Sequence, residues 1–396
     1  MSDRKNILVF MGTRPEAIKM APVVAALQRS DDFECTVVAT GQHKEMFRQV
    51  TEQFGIRVDA DLDVMRPNQS LAGLTARLMD AIDGCIERLV PDMALVQGDT
   101  TTVLVAALAC FYRRIPIGHV EAGLRTGNIW SPFPEEVNRR LASPLVRLHF
   151  APTEAAREAL LREGVAADWI TVTGNTVIDA LLMEVQTQRH NVEVKDRIAR
   201  DLAALLGDDW ARRPYVLITG HRRENFGNGF DQICDAIAQL ARRFSDHRFV
   251  YPVHLNPNVK EHVHRMLGGL DNVRLIPPQG YRNFVGLMAG CRVILTDSGG
   301  VQEEGPTLGK PVLVMRDTTE RPEGVDAGTA RLTGANASAI VEHTSRLLTD
   351  ARAYEMMATA RNPYGDGRAA ERIVTQIRTH FAPAEVPVSV RRAKLT

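Results

Sequence analysis

The chain alternates short runs of apolar residues with stretches of helical periodicity. In its first half, the apolar runs predict strands at residues 7–11, 35–39, 93–97, 115–119, 148–151 and 169–173. A helix is predicted at residues 16–29, and an alanine-rich helix is expected between the third and fourth strands. Near-continuous apolar strands separated by helices are typical of a parallel sheet with helices on both faces.

The pattern restarts after a polar helical stretch at about residues 186–204. It predicts further strands at residues 214–219, 249–251, 273–276, 293–296 and 312–315. We therefore predict an α/β fold with two doubly wound, Rossmann-like domains, residues 1–180 and 181–366, that face each other across a cleft. We expect a last helix at 367–381 to pack back on the first domain, followed by a loose tail at 382–396.

Composition agrees with this picture and excludes several classes of function. A chain of 396 residues suits two domains, and 44% apolar with 24% charged residues is typical of a soluble protein. Lys+Arg and Asp+Glu each number 48, so the total charge favours neither nucleic acid nor an anionic membrane as partner. We find no secretory signal and no apolar stretch long enough to span a bilayer. Five scattered cysteines without a CxxC pair indicate a reducing compartment, and we expect the cytoplasm.

Ligands of open α/β sheets bind beyond the carboxyl ends of the strands, so polar residues that follow strands are the candidates for chemistry. Residues 12–19 follow the first strand, and Pro15 suits the first turn of a helix. Backbone N–H groups there, together with Arg14 and Lys19, predict an anion site; the alternative is an ordinary turn with two surface cations. The segment is not a nicotinamide-binding fingerprint, because that needs three spaced glycines.

Acidic residues follow two other strands of the first half. Asp99 lies between a strand and a helix, where it is either a carboxylate facing the cleft or a helix cap. Glu121 directly follows the next strand. Glu135 and Glu136 begin a helix behind Pro134, and we expect one of the two only to complement the helix dipole.

Cationic and glycine-rich segments follow strands in the second half. His221 and Arg222 come at the end of its first strand, which favours a group that faces a phosphate. Residues 298–300 form a Ser-Gly-Gly turn that lets backbone amides approach a diphosphate, and Glu304 follows on the helix, in reach of ribose hydroxyls. The alternative is a tight turn with solvated glutamates. Residues 316–322 add further cations.

Together these segments resemble the non-hydrolysing UDP-N-acetylglucosamine 2-epimerases over nearly the whole chain. The resemblance rests on the motifs GTRPEAIKMAP, GDTTT, GHVEAGLRTG, GNTVIDAL, GHRRENFG, YPVHLNPNV, TDSGGVQEE and MRDTTERPE. It implies the glycosyltransferase-B fold, a homodimer, no nicotinamide and no required metal. By motif match, the catalytic group would be Asp99, Glu121, Glu135 and His221. The UDP part would be held by Arg14, Lys19, Gln279, Phe284, Ser298, Gly299, Gly300, Glu304 and Arg321.

Some members of the family also bind a second substrate molecule as an activator. The residues of this chain that match that site are Gln42, His43, Gln69 and Glu136. The sequence leaves open whether the chain is activated in this way.

The reaction implied by the resemblance is the reversible conversion of UDP-N-acetylglucosamine into UDP-N-acetylmannosamine through 2-acetamidoglucal. The alternatives are a UDP-sugar glycosyltransferase of the same architecture, an epimerase that hydrolyses its substrate, and a nucleotide-sugar sensor without turnover. A glycosyltransferase needs an acceptor pocket in the first domain, whereas carboxylates at the strand ends of that domain favour epimerisation. The product would serve a surface polysaccharide.

Overall fold

The computed structural model describes residues 4–41, 44–66, 68–220, 222 and 227–382. Seven strands of the first half form one sheet in the order β3-β2-β1-β4-β5-β6-β7. Their limits are β1 Lys5–Met11, β2 Phe33–Ala39, β3 Ala60–Asp61, β4 Met93–Gln97, β5 Ile117–Val120, β6 Leu148–Ala151 and β7 Ile170–Val172. Six strands of the second half form another sheet, in the order β10-β9-β8-β11-β12-β13. They are β8 Tyr215–Thr219, β9 Arg248–Pro252, β10 Val273–Ile276, β11 Val293–Thr296, β12 Val312–Val314 and β13 Ala330–Leu332.

Helices connect the strands and cover both sheets. Those of the first half are α1 Arg14–Gln28, α2 Lys44–Phe54, α3 Leu71–Leu89, α4 Thr101–Tyr112, α5 Glu135–Ala142 and α6 Glu154–Arg162. The link to the second half is made by α7 Thr176–His190 and α8 Val192–Leu206. The remaining helices are α9 Asn228–Arg243, α10 Pro257–Leu267, α11 Tyr281–Gly290, α12 Gly299–Thr307, α13 Pro322–Asp326, α14 Ala337–Thr349, α15 Ala351–Ala358 and α16 Ala369–Phe381.

Every strand pairing in the two sheets is parallel, as the continuous apolar runs predict. Each sheet has the strand order of a doubly wound fold, which reverses direction beside its first strand. The reversal lies between β1 and β4 in one sheet and between β8 and β11 in the other. The loops after these four strands are therefore where a ligand is expected.

The two halves share part of their apolar core. One buried cluster contains Leu27 of α1, Leu181 of α7, Val285 of α11 and Ile377 of α16, all fully buried. Helix α7 contacts α1, α11, α12 and α16. Burying a side chain of this kind stabilises the fold by about 1.5–3 kcal/mol, so the shared core contributes to joining the two halves.

The last helix returns to the first sheet's half and packs against α1. Asp179 on α7 accepts hydrogen bonds from the first backbone N–H groups of α16, at Ala369 (3.2 Å) and Ala370 (2.8 Å). Arg378 forms an ion pair with Asp32 at 2.7 Å. The division of the chain at residues 180/181 and 366/367 stays a prediction, and residues 383–396 of the expected tail lie outside the described part.

The strands predicted from the apolar runs are confirmed, with small differences at their limits. The strand predicted at 115–119 begins only at Ile117, since Pro116 has no N–H to donate to the ladder. The single helical stretch predicted at 186–204 is two helices that meet at Asn191, whose side chain caps α8. Strands β3 and β13 were not predicted. No helix in the described part of the chain has the length and apolar character that crossing a membrane requires.

Candidate active site

A cavity of about 520 Å³ lies where the two sheets face each other. Its lining comes from α1 and α7 on one side and from the segments that follow β8, β9, β10, β11 and β12 on the other. Many of the residues predicted to hold UDP are brought together here: Arg14, Lys19, Gln279, Phe284, Ser298, Gly300, Glu304 and Arg321. The cavity therefore lies at the strand ends where a nucleotide ligand is expected.

The start of α1 is held by a carboxylate that the sequence reading passed over. Glu16 is buried, and its Oε2 accepts the backbone N–H groups of Gly12 and Thr13, each at 2.7 Å. Its Oε1 accepts the hydroxyl of Thr100 at 2.6 Å. These two N–H groups are thus engaged by Glu16, so the anion-binding groups of this segment are the side chains of Arg14 and Lys19. Burial lowers the pKa of Arg14, and nearby Glu304 offsets part of this.

Glu121 is a buried carboxylate with three side-chain donors. It accepts from Nζ of Lys19 (2.5 Å) and from Nδ2 of Asn175 (2.9 Å) on Oε1, and from Nε2 of Gln97 (2.5 Å) on Oε2. Its backbone is in the left-handed region, at φ +65°, directly after β5. Burial raises its pKa, but Lys19 and Arg321 lower it by more, so the net pKa lies below the ordinary value. Glu121 is therefore ionised at neutral pH.

Two further side chains join Glu121 to the second half of the chain, and neither was predicted. Nδ2 of Asn175 also donates to Oε2 of Glu303 at 2.9 Å, and Glu303 accepts from Nε of Arg321 at 2.7 Å. Burial raises the pKa of Glu303, and Arg321 and Lys19 offset only part of the rise. Both residues stand in segments that were recognised, GNTVIDAL and TDSGGVQEE, but pairing over such sequence distances has no local signal.

Asp99 follows β4 but does not cap α4, so that alternative is wrong. The N-cap is Thr100, which makes no side-chain cap hydrogen bond. Oδ2 of Asp99 instead accepts from Nε (3.1 Å) and Nη2 (2.5 Å) of Arg139 on α5. Gly98 precedes Asp99, and a Cβ added to it would lie 3.8 Å from Oε2 of Glu121. The carboxylates of Asp99 and Glu121 thus follow neighbouring strands, each with its own cation.

The two acidic residues that open α5 have different surroundings. Glu136 is fully buried and accepts the backbone N–H groups of Thr126 (3.1 Å) and Gly127 (3.2 Å), and it also pairs with Arg139. It therefore ties the preceding loop to the helix. Glu135 is partly exposed and has no side-chain hydrogen bond within the described part of the chain. Of the two, Glu135 is the carboxylate free to reach a ligand.

His119 of the GHVEAG segment supports the loop that carries Asp99. It is buried on β5, and its Nε2 lies 2.7 Å from the carbonyl oxygen of Gly98. Because a carbonyl only accepts, we assign the hydrogen to Nε2. Burial lowers the pKa of His119 to about 4, so the ring is neutral at neutral pH.

The strand ends of the second sheet form the opposite wall. Thr219 and Thr296, paired in register on β8 and β11, share a hydroxyl hydrogen bond of 2.6 Å. The N–H of Arg222 donates to Oδ2 of Asp297 at 2.8 Å, and Tyr251 donates its hydroxyl to the carbonyl of Gly220 at 2.8 Å. His221, between Gly220 and Arg222 in the chain, lies outside the described residues.

The two glycines at the start of α12 have different surroundings. A Cβ on Gly299 would lie 3.1 Å from Cζ of Arg321, so a side chain there would displace the guanidinium. A Cβ on Gly300 meets no described atom within 4 Å, and the residue lines the cavity. Ser298 is the N-cap residue but makes no side-chain cap hydrogen bond. The helix start is therefore open to an anion on its cavity side.

Glu304 lies deeper in the same wall, 6% exposed. Burial raises its pKa to about 7, although Oε1 accepts the hydroxyl of Tyr281 at 2.9 Å. Phe284, one turn after Tyr281, also lines the cavity. Gln279 donates from Nε2 to the carbonyl of Pro277 at 2.7 Å. An amide, an aromatic ring and a carboxyl group thus share this end of the cavity.

The residues of the possible activator site are only partly described. Gln42 and His43 lie outside the described residues. Gln69 is engaged by its own segment, since Oε1 accepts from the N–H of Arg66 at 3.1 Å and from the guanidinium of Arg77. The activator role of Gln69 and of the buried Glu136 stays a prediction. In the described part of the chain, His, Cys, Asp and Glu side chains form no group of three that could hold a metal ion.

Comparison with known proteins agrees with this geometry. The sequence profile of a family described as UDP-N-acetylglucosamine 2-epimerase matches residues 25–378. A Yersinia pestis protein with that name is 54% identical over 381 residues, which are 95% of this chain and 99% of the relative. An Escherichia coli K12 protein with the same name is 53% identical over 375 residues, covering 95% and 99%.

The crystal structure of UDP-GlcNAc 2-epimerase from Neisseria meningitidis, bound to UDP-GlcNAc, has a TM-score of 0.87 to this chain. It is 46% identical and covers 94% of this chain and all (100%) of that one. The predicted glycosyltransferase-B-like fold, with two doubly wound sheets, is confirmed by this match. The chain belongs to the UDP-N-acetylglucosamine 2-epimerase family.

Proposed function

We propose that the chain interconverts UDP-N-acetylglucosamine and UDP-N-acetylmannosamine by inverting C2 of the sugar. The observation that carries the proposal is the position of Glu121. This ionised carboxylate lies beside Lys19, which lines a cavity together with Arg14, Arg321 and the start of α12, groups suited to a nucleotide diphosphate. A base next to a diphosphate site is what the chemistry of this epimerisation requires.

The reaction needs the nucleotide to leave before C2 can change. The hydrogen on C2 has no adjacent carbonyl, so its removal from the intact substrate would leave an unstabilised carbanion. Cleavage of the bond from C1 to the UDP oxygen places positive charge on C1, which acidifies the C2 hydrogen. A base then takes that proton, leaving 2-acetamidoglucal and UDP. Delivery of a proton to the other face of C2, with return of UDP to C1, gives the manno epimer.

Departure of the diphosphate, proton transfer at C2 and exclusion of water each have candidate groups in this chain. Arg14, Arg321 and the backbone amides of Gly299 and Gly300 stabilise the departing diphosphate, with His221 as the acid for its oxygen. The N–H of Ser298 is not among these groups, because it donates to Oγ1 of Thr296 at 2.9 Å. Glu304 accepts from the ribose hydroxyls. The proton transfers at C2 involve Asp99, Glu121 and Glu135, without assignment to a face. Closure of the two halves over the ligand excludes water, which would otherwise hydrolyse the intermediate.

The test is incubation of the protein with UDP-N-acetylglucosamine alone in heavy water, followed by NMR. We expect UDP-N-acetylmannosamine, with deuterium at C2 of both epimers at equilibrium. Glu121→Gln should lower kcat by about 10²–10⁴-fold, the range found for loss of a general base. Glu158→Gln, at an exposed position of α6, is the matched control and should retain activity.

Other products would contradict the proposal in distinguishable ways. Free N-acetylmannosamine with UDP would indicate a hydrolysing epimerase, and turnover only with an added acceptor would indicate a glycosyltransferase. Binding without any product would indicate a sensor. Complete retention of hydrogen at C2 in the manno product would exclude the proton exchange that the mechanism requires.

The proposal extends to assembly and location. We infer a homodimer in the cytoplasm, as the family resemblance implies. The inference is supported by large apolar side chains on the surface of the first half, at the ends of α4 and α5: Phe111, Tyr112 and Leu141 are 55%, 66% and 54% exposed. A second copy of the chain covers this face.

A further inference from the structure

Asn175 lies at the junction of the two halves with its side-chain amide between two buried carboxylates. Nδ2 donates to Oε1 of Glu121, which follows β5 of the first sheet, and to Oε2 of Glu303, on α12 of the second half, both at 2.9 Å. Asn175 itself is 2% exposed. One nitrogen therefore uses both of its hydrogens to connect the carboxylates.

The orientation of this amide is fixed by its other contacts. Oδ1 accepts the N–H of Val177 at 3.2 Å, as the N-cap of α7, and the backbone N–H of Asn175 donates to the carbonyl of Tyr364 at 2.7 Å. Exchanging oxygen and nitrogen would turn Oδ1 towards two carboxylates and Nδ2 towards an N–H. That arrangement is repulsive on both sides, so Asn175 is a donor to Glu121 and Glu303.

The charged groups around the Asn175 side chain indicate a role beyond capping α7. Glu121 is paired with Lys19 and Glu303 with Arg321, so two anions and two cations occupy one buried region. Nδ2 of Asn175 donates to both carboxylates and so lies between them. A neutral donor stabilises the ionised form of both and prevents either from turning towards the other's cation.

We propose that Asn175 is a positioning residue that holds the Glu121 carboxylate in its orientation at the junction of the two halves. This inference rests on the proposed function, with Glu121 as an acid/base group. Asn175 does not act on the sugar, since both hydrogens of its Nδ2 are donated to the two carboxylates and its Oδ1 accepts from Val177. Its loss should therefore change turnover and its pH dependence, and not the affinity for substrate.

The variant that tests this is Asn175→Ser. Serine is as good an N-cap as asparagine, so α7 keeps its cap, but one hydroxyl hydrogen cannot serve two carboxylates. We expect kcat to fall by about 10–100-fold, by analogy with residues that orient the ligands of a metal, with KM near the wild-type value. The acid limb of the kcat profile should move to higher pH, because loss of a donor raises the pKa of Glu121.

The matched control is Asn191→Ser. Asn191 caps α8 in the same way, with Oδ1 accepting the N–H of Val194 at 3.1 Å, but it contacts no carboxylate that the structure describes. It should keep wild-type kcat and pH profile. Thermal unfolding of all variants is measured alongside the kinetics.

Several results would overturn the inference. A wild-type kcat and acid limb in Asn175→Ser would mean that capping is the whole role, and a raised KM at unchanged kcat would mean contact with substrate. If Asn175→Ser does not fold, Asn175→Thr takes its place, and unfolding of both would assign a purely structural role. Failure of the wild-type protein to epimerise would instead refute the proposed function, which the wild-type assay reveals separately.

Discussion

At the scale of single residues, the sequence was a good guide to the polar groups that follow strands. It was a poor guide to groups that form pairs between distant parts of the chain. Arg14, Lys19 and Glu304 were found because each belongs to a segment that follows a strand, and the strand ends of both sheets converge on the cavity. Asn175 and Glu303 were missed, since their significance lies in contacts with residues far along the chain. Long-range pairing leaves no trace in spacing or periodicity.

The ionisation of Glu304 predicts a pH dependence of UDP binding. The pKa of this carboxyl group is raised to about 7 by burial, so it is mostly protonated at pH 6 and mostly ionised at pH 8. If the ionised form accepts the ribose hydroxyls, binding must release a proton at low pH. The ratio of the wild-type UDP affinity to that of Glu304→Gln should then be roughly 10-fold higher at pH 8 than at pH 6.

Isothermal titration at pH 6, 7 and 8 measures this difference. The comparison with Glu304→Gln removes the titration of the phosphate itself, and Glu261→Gln, at an exposed position of α10, controls for a general change in charge. If the UDP affinities of the wild-type protein and Glu304→Gln change with pH in parallel, Glu304 does not bind UDP in its ionised form.

At the scale of helices and strands, apolar periodicity predicted those elements that are long and buried. It missed β3 and β13, which have two and three residues and so contain too few positions for a pattern. It also joined α7 and α8, because the break at Asn191 depends on one capping side chain within a continuous polar stretch. Element type is therefore set by periodicity, and the limits are set by caps.

The cap of α16 has a measurable contribution to stability. Asp179 is 5% exposed and accepts two N–H groups at the start of this helix. Asp179→Ala leaves both donors without a partner in a buried place, and we expect a loss of about 1–3 kcal/mol of unfolding free energy. Urea denaturation followed by circular dichroism measures it.

Two further variants make the test specific. Asp179→Asn retains an acceptor oxygen and should lose less stability than Asp179→Ala. Asp196→Ala, at an exposed position of α8, should stay within about 0.5 kcal/mol of the wild-type protein. Equal stability of Asp179→Ala and the wild-type protein would mean that water replaces the carboxylate at no cost.

At the scale of the whole molecule, the restart of the strand pattern predicted two doubly wound sheets and the face on which a ligand binds. What it could not predict is the closeness of the halves, which depends on the shared core around α7 and on polar contacts between distant segments. The network from Lys19 through Asn175 to Arg321 belongs to neither sheet alone.

The proposed homodimer is tested by the mass of the protein in solution. We expect light scattering after gel filtration to give twice the chain mass of 43.8 kDa. Phe111→Asp should shift the protein towards the monomer, because it places a charge on the apolar face at the end of α4. Val192→Asp, at another exposed apolar position, should leave the dimer intact. A monomeric wild-type protein, or a dimeric Phe111→Asp variant, would contradict the proposal.

The return of α16 to α1 has a consequence for the growing chain. Ile373, Val374 and Ile377 fill part of the same core as α1, although more than three hundred residues separate the two helices. During synthesis the first sheet can form early, but its outer layer remains incomplete until α16 has been translated. A nascent chain that stalls before this point exposes the apolar side chains of α1 that α16 covers, and such exposed apolar surface is what chaperones bind.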